Sequence, residues 1–223
     1  MTTFGLVTEG LTDQIVIENI LTGYFANPDL VINPLQPERD KDDDNKSSNY
    51  GGWTQVFSYC RSQDFKEAFQ FNDYAIVHMD TDVSEEKGFD ISHQDENGEL
   101  SPEQLIVKVI EKFRNIIGSE FHDRYCDKII YAISVHSIEC WLLPLYYTDN
   151  RKAKFKNCLD TLNQGLRKKE GFTIDADAKN PDYYRQISRN YCKSKIFKKY
   201  YLENPSFKSF IKQLDNRNII IEE

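Results

Sequence analysis

An α/β fold, with a mainly parallel sheet flanked by helices and a helical C-terminal extension, is predicted by three features of the sequence. Short apolar runs recur at residues 4–7, 74–79 and 128–135, each the length of a strand buried on both faces. Helical spacings separate these runs, and such alternation builds a parallel sheet covered on both sides. Beyond residue 150 only helical periods remain. A chain of 223 residues has room for one such domain and an appended part, with expected boundaries at 1–150 and 151–223.

The elements follow in order. Residues 3–8 read as the first strand, stopping at Glu9-Gly10, where glycine suits a tight turn. In the helix that follows, Val16, Ile17, Ile20, Leu21 and Tyr24 share one face, and Thr12 or Asp13 is placed to cap the first turn. Residues 30–35 read as a short strand that Pro34 consigns to an edge or an end. Residues 37–52 hold the run Glu38-Arg39-Asp40-Lys41-Asp42-Asp43-Asp44 and close in Gly51-Gly52, the composition of a mobile loop. Trp53, Val56, Phe57, Cys60, Phe65 and Phe69 return to helical spacing, and residues 73–79 are the next strand. The polar stretch 83–99 is too long for a tight connection and reads as a substrate-facing loop or a disordered one. Ser101-Pro102-Glu103-Gln104 signs a helix start, with Ser as cap, Pro at the first helical position and Gln completing a capping box; Gly118 is the stop. Residues 128–135 form a nearly continuous apolar strand, and 137–143 open a short buried helix that contains or ends at Pro144. Further on, loops are expected around 171–181 and 204–205.

Composition excludes several classes. With 39% hydrophobic and 29% charged residues the chain is ordinary for a globular protein, and no apolar run approaches the roughly 18 residues of a membrane span. The N-terminus enters a strand at once without a basic n-region or cleavage site, so secretion is not expected. The five cysteines, Cys60, Cys126, Cys140, Cys158 and Cys192, are odd in number, widely spaced and without a C-x-x-C pair. That pattern predicts reduced thiols in the cytoplasm and no zinc site. No G-x-x-x-x-G-K-[ST] phosphate loop is present.

A net charge of −8 argues against nucleic-acid binding until its distribution is read. From Arg151 onward there are 17 Lys+Arg against 9 Asp+Glu, a net of +8; the first 150 residues carry 11 against 27, a net of −16. An acidic half joined to a basic tail suits a polyanion held at carboxylate-bound metal. A solvated basic helix face accounts for the tail equally well.

The residues with chemistry stand at strand ends. Glu9 closes the first strand, and Asp80 and Asp82 close the strand at 73–79. Open α/β sheets bind ligands at that edge, and carboxylates are the ligands that hard divalent cations need. The plainer account makes Glu9 and Asp13 helix-dipole acids and Asp80 and Asp82 an ordinary turn. Asp13 itself is assigned to a cap rather than a metal, and its place four residues after Glu9 leaves open a role behind the ligands. Glu139 follows a buried strand, so it must reach a metal or a basic partner, and the two readings stand level. Trp141, among leucines, is expected in the core; His78 and His136 read as near-core histidines, with His136 near enough the edge to donate a proton. In the tail, cations interleave with aromatics around Arg185, Arg189, Lys193, Lys195 and Lys198. This suits a phosphate backbone with stacked bases, while a helix turning its rings inward and its lysines outward gives the same string. Lys193 and Lys195 are the candidates for transition-state stabilisation.

In order and context, Glu9-Gly10 after the first strand and Asp80-x-Asp82 after a later one resemble the Toprim signature. The element Ser137-Ile138-Glu139-Cys140-Trp141-Leu142-Leu143 resembles an I/F-E-x-W-L-L element of small RloB-like Toprim proteins of prokaryotic defence loci, related to the overcoming-lysogenization-defect (OLD) nucleases. The resemblance covers about residues 3–147. It implies a Toprim-like fold, Mg2+ or Mn2+ bound by Asp80 and Asp82, and Glu9 completing the site or moving a proton. Gly10 would stand beside the bound group and Glu139 would be a fourth acid. The implied activity is metal-dependent hydrolysis of phosphodiester bonds in RNA or DNA by a cytoplasmic antiviral effector. The alternatives are a catalytically weak binding or regulatory module partnering an ATPase, and a small-nucleotide phosphohydrolase. The chain is short for a strand-passing topoisomerase or a primase.

Overall fold

The computed structural model describes residues 1–39 and 51–221. The acidic run at 40–44 and most of the expected mobile loop lie outside them. The element order is β1 (Thr3–Val7), α1 (Leu11–Phe25), β2 (Val31–Gln36), α2 (Trp53–Arg61), α3 (Gln63–Glu67), β3 (Tyr74–Asp80), β4 (Gln94–Asp95), β5 (Gly98–Glu99), α4 (Pro102–Ile117), α5 (Ser119–Tyr125), β6 (Ile129–Ser134), α6 (Glu139–Tyr146), α7 (Cys158–Lys169), α8 (Pro181–Ser188), α9 (Ser194–Tyr200) and α10 (Pro205–Asp215).

Four strands make one parallel sheet in the order β2-β1-β3-β6. Each strand alternates its side chains between two apolar layers, as a strand covered on both faces must. Phe4 and Leu6 of β1, Ile76 of β3 and Ile130 and Ala132 of β6 join a core with α1, α6 and the C-terminal helices. Val7, Ala75, Val77, Met79, Ile129, Tyr131 and Ile133 join a second core with α2, α3 and α4. β2 pairs with β1 alone, so Pro34 sits in an edge strand, where its missing N–H costs no ladder bond.

Local signals placed several boundaries. Ser101 accepts from the Gln104 amide and Gln104 returns a bond to the Ser101 amide, a complete capping box with Pro102 in the first turn. Asn204 caps α10 by accepting from the amides of Ser206 and Phe207. The helical stretch after Trp53 is broken at Ser62, whose hydroxyl accepts from the Phe65 amide and starts α3.

Three expectations are corrected. Of the two readings of 83–99, the disordered one is overturned: Phe89 and Ile91 are buried, Ser84 Oγ donates to the Ile91 carbonyl, and β4 and β5 form a small hairpin. α1 is not amphipathic; it is buried over most of its circumference, from Thr12 to Ile17 and again at Ile20, Leu21 and Gly23. The turn at 189–192 approaches so closely that a Cβ at Gly23 would collide with the Tyr191 carbonyl oxygen. Finally, Cys140 and Cys158 form a disulfide between α6 and α7, so these two are not reduced thiols, while Cys60, Cys126 and Cys192 are free. Among the described residues no helix is long and apolar enough to cross a membrane.

Residues 151–221 add helices without adding a separate core. Tyr184, Tyr191, Phe197, Phe207 and Phe210 are buried in the same layer as α1 and α6. Trp141 of α6 stacks between them, its ring centroid 4.9 Å from Phe207 and 5.7 Å from Phe210, and its Nε1 donates to Ser206 Oγ.

Candidate functional site

The order β2-β1-β3-β6 puts a topological switch point between β1 and β3, because the chain leaves β1 toward one edge of the sheet and β3 toward the other. Open α/β sheets offer their ligand crevice there, outside the carboxyl ends of the strands. Register then brings the acids together. Val7 pairs with Val77, so Glu9, two residues on, stands level with the end of β3, and the Asp80 amide donates to Glu9 Oε1 at 2.7 Å. Ile76, His78 and Asp80 share a face by the two-residue period, and that face also carries α1. Asp13, buried in the first turn of α1, joins the group.

Past Asp80 the chain is held by backbone bonds. The amides of Thr81 and Asp82 donate to the His136 carbonyl at 2.8 and 3.0 Å, and Thr81 Oγ1 accepts from the His136 amide. His136 adopts φ +62, a left-handed conformation costly for a non-glycine residue, at the bend between β6 and α6. It is half-buried and its ring packs edge-on against His93, whose Nε2 bonds the Thr81 carbonyl. On the other side, Gly52 donates to the Glu9 carbonyl at 2.9 Å, and a Cβ at Gly51 would stand 2.6 Å from that oxygen. Gly10 begins α1 with an extended φ of −151, which any residue adopts, so its backbone does not demand glycine as the sequence suggested.

Glu139 lies at the start of α6 and is 1% exposed. Its Oε1 meets Lys179 Nζ at 2.8 Å and accepts from the Tyr184 hydroxyl. Burial works against its charge, but Lys179 and the bonds from Lys179, Ser137 and Tyr184 prevail and hold the carboxyl at about 2. Lys179 was not among the sequence candidates. It sits in the loop between α7 and α8, which no strand-end rule marks; its one local signal was standing just before the helix start Asn180-Pro181. The expected lysines, Lys193 and Lys195, are exposed on the C-terminal helices.

The other carboxyls are pushed the opposite way. Burial, then the charges of Asp80 and Asp13, raises Glu9 well above its usual 4.5. Burial, then Asp13 and Glu139, raises Asp80 well above 3.8, and Asp13 and the more exposed Asp82 are raised too, burial leading in each. His78, wholly buried, is pushed down by desolvation; its Nε2 bonds Ser134 Oγ at 3.0 Å. That nitrogen also lies 3.3 Å from Asp80 Oδ1, but the contact lacks hydrogen-bond geometry. Asp80 Oδ1 is therefore buried without a hydrogen-bond partner.

Carboxylate oxygens are the ligand type that hard divalent cations take, and a buried carboxylate oxygen without a hydrogen bond is one that such an ion would satisfy. As they stand, no three His, Cys, Asp or Glu side chains among the described residues are arranged as a set of metal ligands. The tail cations Arg185, Arg189, Lys193, Lys195 and Lys198 face outward, and Arg185 is paired with Asp182. Their aromatic neighbours Tyr184, Tyr191 and Phe197 are buried. The cations of the tail are thus at the surface, while those three rings are not exposed for stacking. Comparison with protein-family models, curated proteins and solved structures finds no match to this chain.

Proposed function

We propose that this chain is a Toprim-type nuclease that hydrolyses phosphodiester bonds in RNA or DNA with Mg2+ or Mn2+. The observation that carries the reading is the buried Asp80 Oδ1, which accepts no hydrogen bond, beside Glu9 and Asp13 at the β1/β3 switch point. Glu9, Asp80 and Asp82 would hold the ion. Bound there, it supplies positive charge to the phosphate and lowers the pKa of an attacking water.

The chain's own residues do the rest. The Asp80 amide fixes Glu9 through Oε1, leaving Oε2 to take up a proton, and burial raises this carboxyl's affinity for one. Glu139, held ionised by Lys179 and Tyr184, is a poor proton acceptor and acts as a positioning residue. The outward cations of α8, α9 and the turn between them would meet the nucleic-acid backbone at phosphates, which sets affinity rather than sequence preference. A cytoplasmic role in prokaryotic defence against phage belongs to the same proposal through the motif resemblance; an ATPase partner belongs to the alternative of a binding or regulatory module.

The test is a cleavage screen of purified protein on RNA and plasmid DNA with and without Mn2+. Glu9→Gln and Asp80→Asn should each lower cleavage by about a hundredfold or more. Cleavage that needs no metal, or full activity in both variants, overturns the proposal. One observation favours a second reading, a metal-poor binding module: the absence of a ready three-ligand arrangement among the described residues. Calorimetry decides between them, since such a module shows no Mn2+ binding that depends on Asp80.

A further inference from the structure

The site contains a cation of its own. Lys179 Nζ lies 2.8 Å from Glu139 Oε1, and its charge also acts on Asp13, Asp80 and Asp82. Lys179 is thus paired with Glu139, and its charge reaches three more carboxyls, Asp13, Asp80 and Asp82. The Lys179 side chain keeps 32% of its surface exposed, whereas that of Glu139 keeps 1%. The stem therefore reaches in from the surface, along a segment between α7 and α8 that has no regular structure from Gly171 to Asn180. Such a side chain can leave the cluster by rotating about its own bonds, without unpacking a helix.

We infer that Lys179 is a built-in counter-ion that occupies the carboxylate cluster in the metal-free protein and competes with the divalent cation for it. This rests on the metal-centre reading above. A lysine lends one positive charge and cannot share its position with a second cation, because like charges in a poorly solvated site repel strongly. Binding of the ion is then coupled to movement of Lys179 away from Asp80 and Asp13. The lysine limits the affinity of the site and prevents the empty cluster from repelling itself apart.

The experiment is Mn2+ titration by calorimetry on the full chain and on Lys179→Met, with thermal melting of each protein in chelator and in Mn2+. Lys179→Met should bind Mn2+ about tenfold more tightly than the parent, and should melt lower in chelator with most of that deficit recovered in Mn2+. Lys179→Arg, which keeps the charge, should bind like the parent. If Lys179→Met does not fold, Lys179→Gln, which keeps a donor toward Glu139 without the charge, replaces it with the same expectation. Equal or weaker Mn2+ binding by the neutral variant, with the parent binding normally, overturns the counter-ion role alone. A parent that binds no Mn2+ overturns the metal-centre reading, and the counter-ion role falls with it.

Discussion

At the scale of single residues, two buried acids of one site are driven in opposite directions, and their environments say why. Glu139 has a lysine and a phenol on one oxygen, so it is ionised although buried. Asp80 is buried, with the charge of Asp13 beside it and an oxygen that accepts no hydrogen bond, so its ionised form is penalised. The consequences for stability have opposite signs. Glu139, lowered from 4.5 to about 2, contributes stability that is present above 4.5 and is lost as pH falls toward 2. Asp80 and Glu9, raised above 3.8 and 4.5, contribute stability below those values that is lost as pH rises through the raised ones. Asp80→Asn should therefore stabilise the metal-free protein at about pH 7, by roughly 1–2 kcal/mol, and change it little at about pH 4. Denaturant unfolding in chelator at both pH values checks this; a loss of stability at the higher pH contradicts it. Of the site, Glu9, Asp80, Asp82 and Glu139 were legible because strand ends are visible as apolar runs that stop in acids. Lys179 was not, because its approach to Glu139 spans 40 residues of chain and depends on helix packing.

Among the elements, α1 shows how far pattern reading reaches. Its existence and limits follow from residues 11–25, but its burial on nearly every side does not, since the covering helices come more than 150 residues later. Gly23 marks the contact. Replacing it with Ala puts a methyl group against the Tyr191 carbonyl, and the backbone must shift to admit it. Gly23→Ala should destabilise by about 2 kcal/mol or more, although alanine favours helix, and a stability equal to the parent would show that the turn at 189–192 yields freely. The Cys140–Cys158 bond belongs to the same scale: α6 and α7 are brought together by packing, and the sequence between two cysteines 18 positions apart carries no sign of it. The capping box of α4 is the opposite case, a boundary written wholly in four adjacent residues.

For the whole molecule, the C-terminal helices complete one face of the sheet and supply Lys179 and Tyr184 to the acids at its edge. A fragment of residues 1–150 would expose Trp141, α1 and the β-strand side chains of that face, and would leave Glu139 buried without its cation. It should not fold: size-exclusion chromatography and near-ultraviolet circular dichroism are expected to show aggregation and no fixed aromatic environment. A monomeric fragment with native-like spectra would mean the sheet carries its own core. The sequence by itself determined the four strands of the parallel sheet, the starts of α1 and α4 and the acids at the strand ends, because these rest on periodicity and on turn and cap signals that act within a few residues. Only the tertiary structure decided that β1 and β3 are neighbours, that Glu9 and Asp80 meet, and that a lysine from the tail pairs with Glu139 and acts on Asp80 by its charge. Strand order, register and burial arise from contacts far apart in the chain, and the charge state of each acid depends on what those contacts bring within a few ångströms of it.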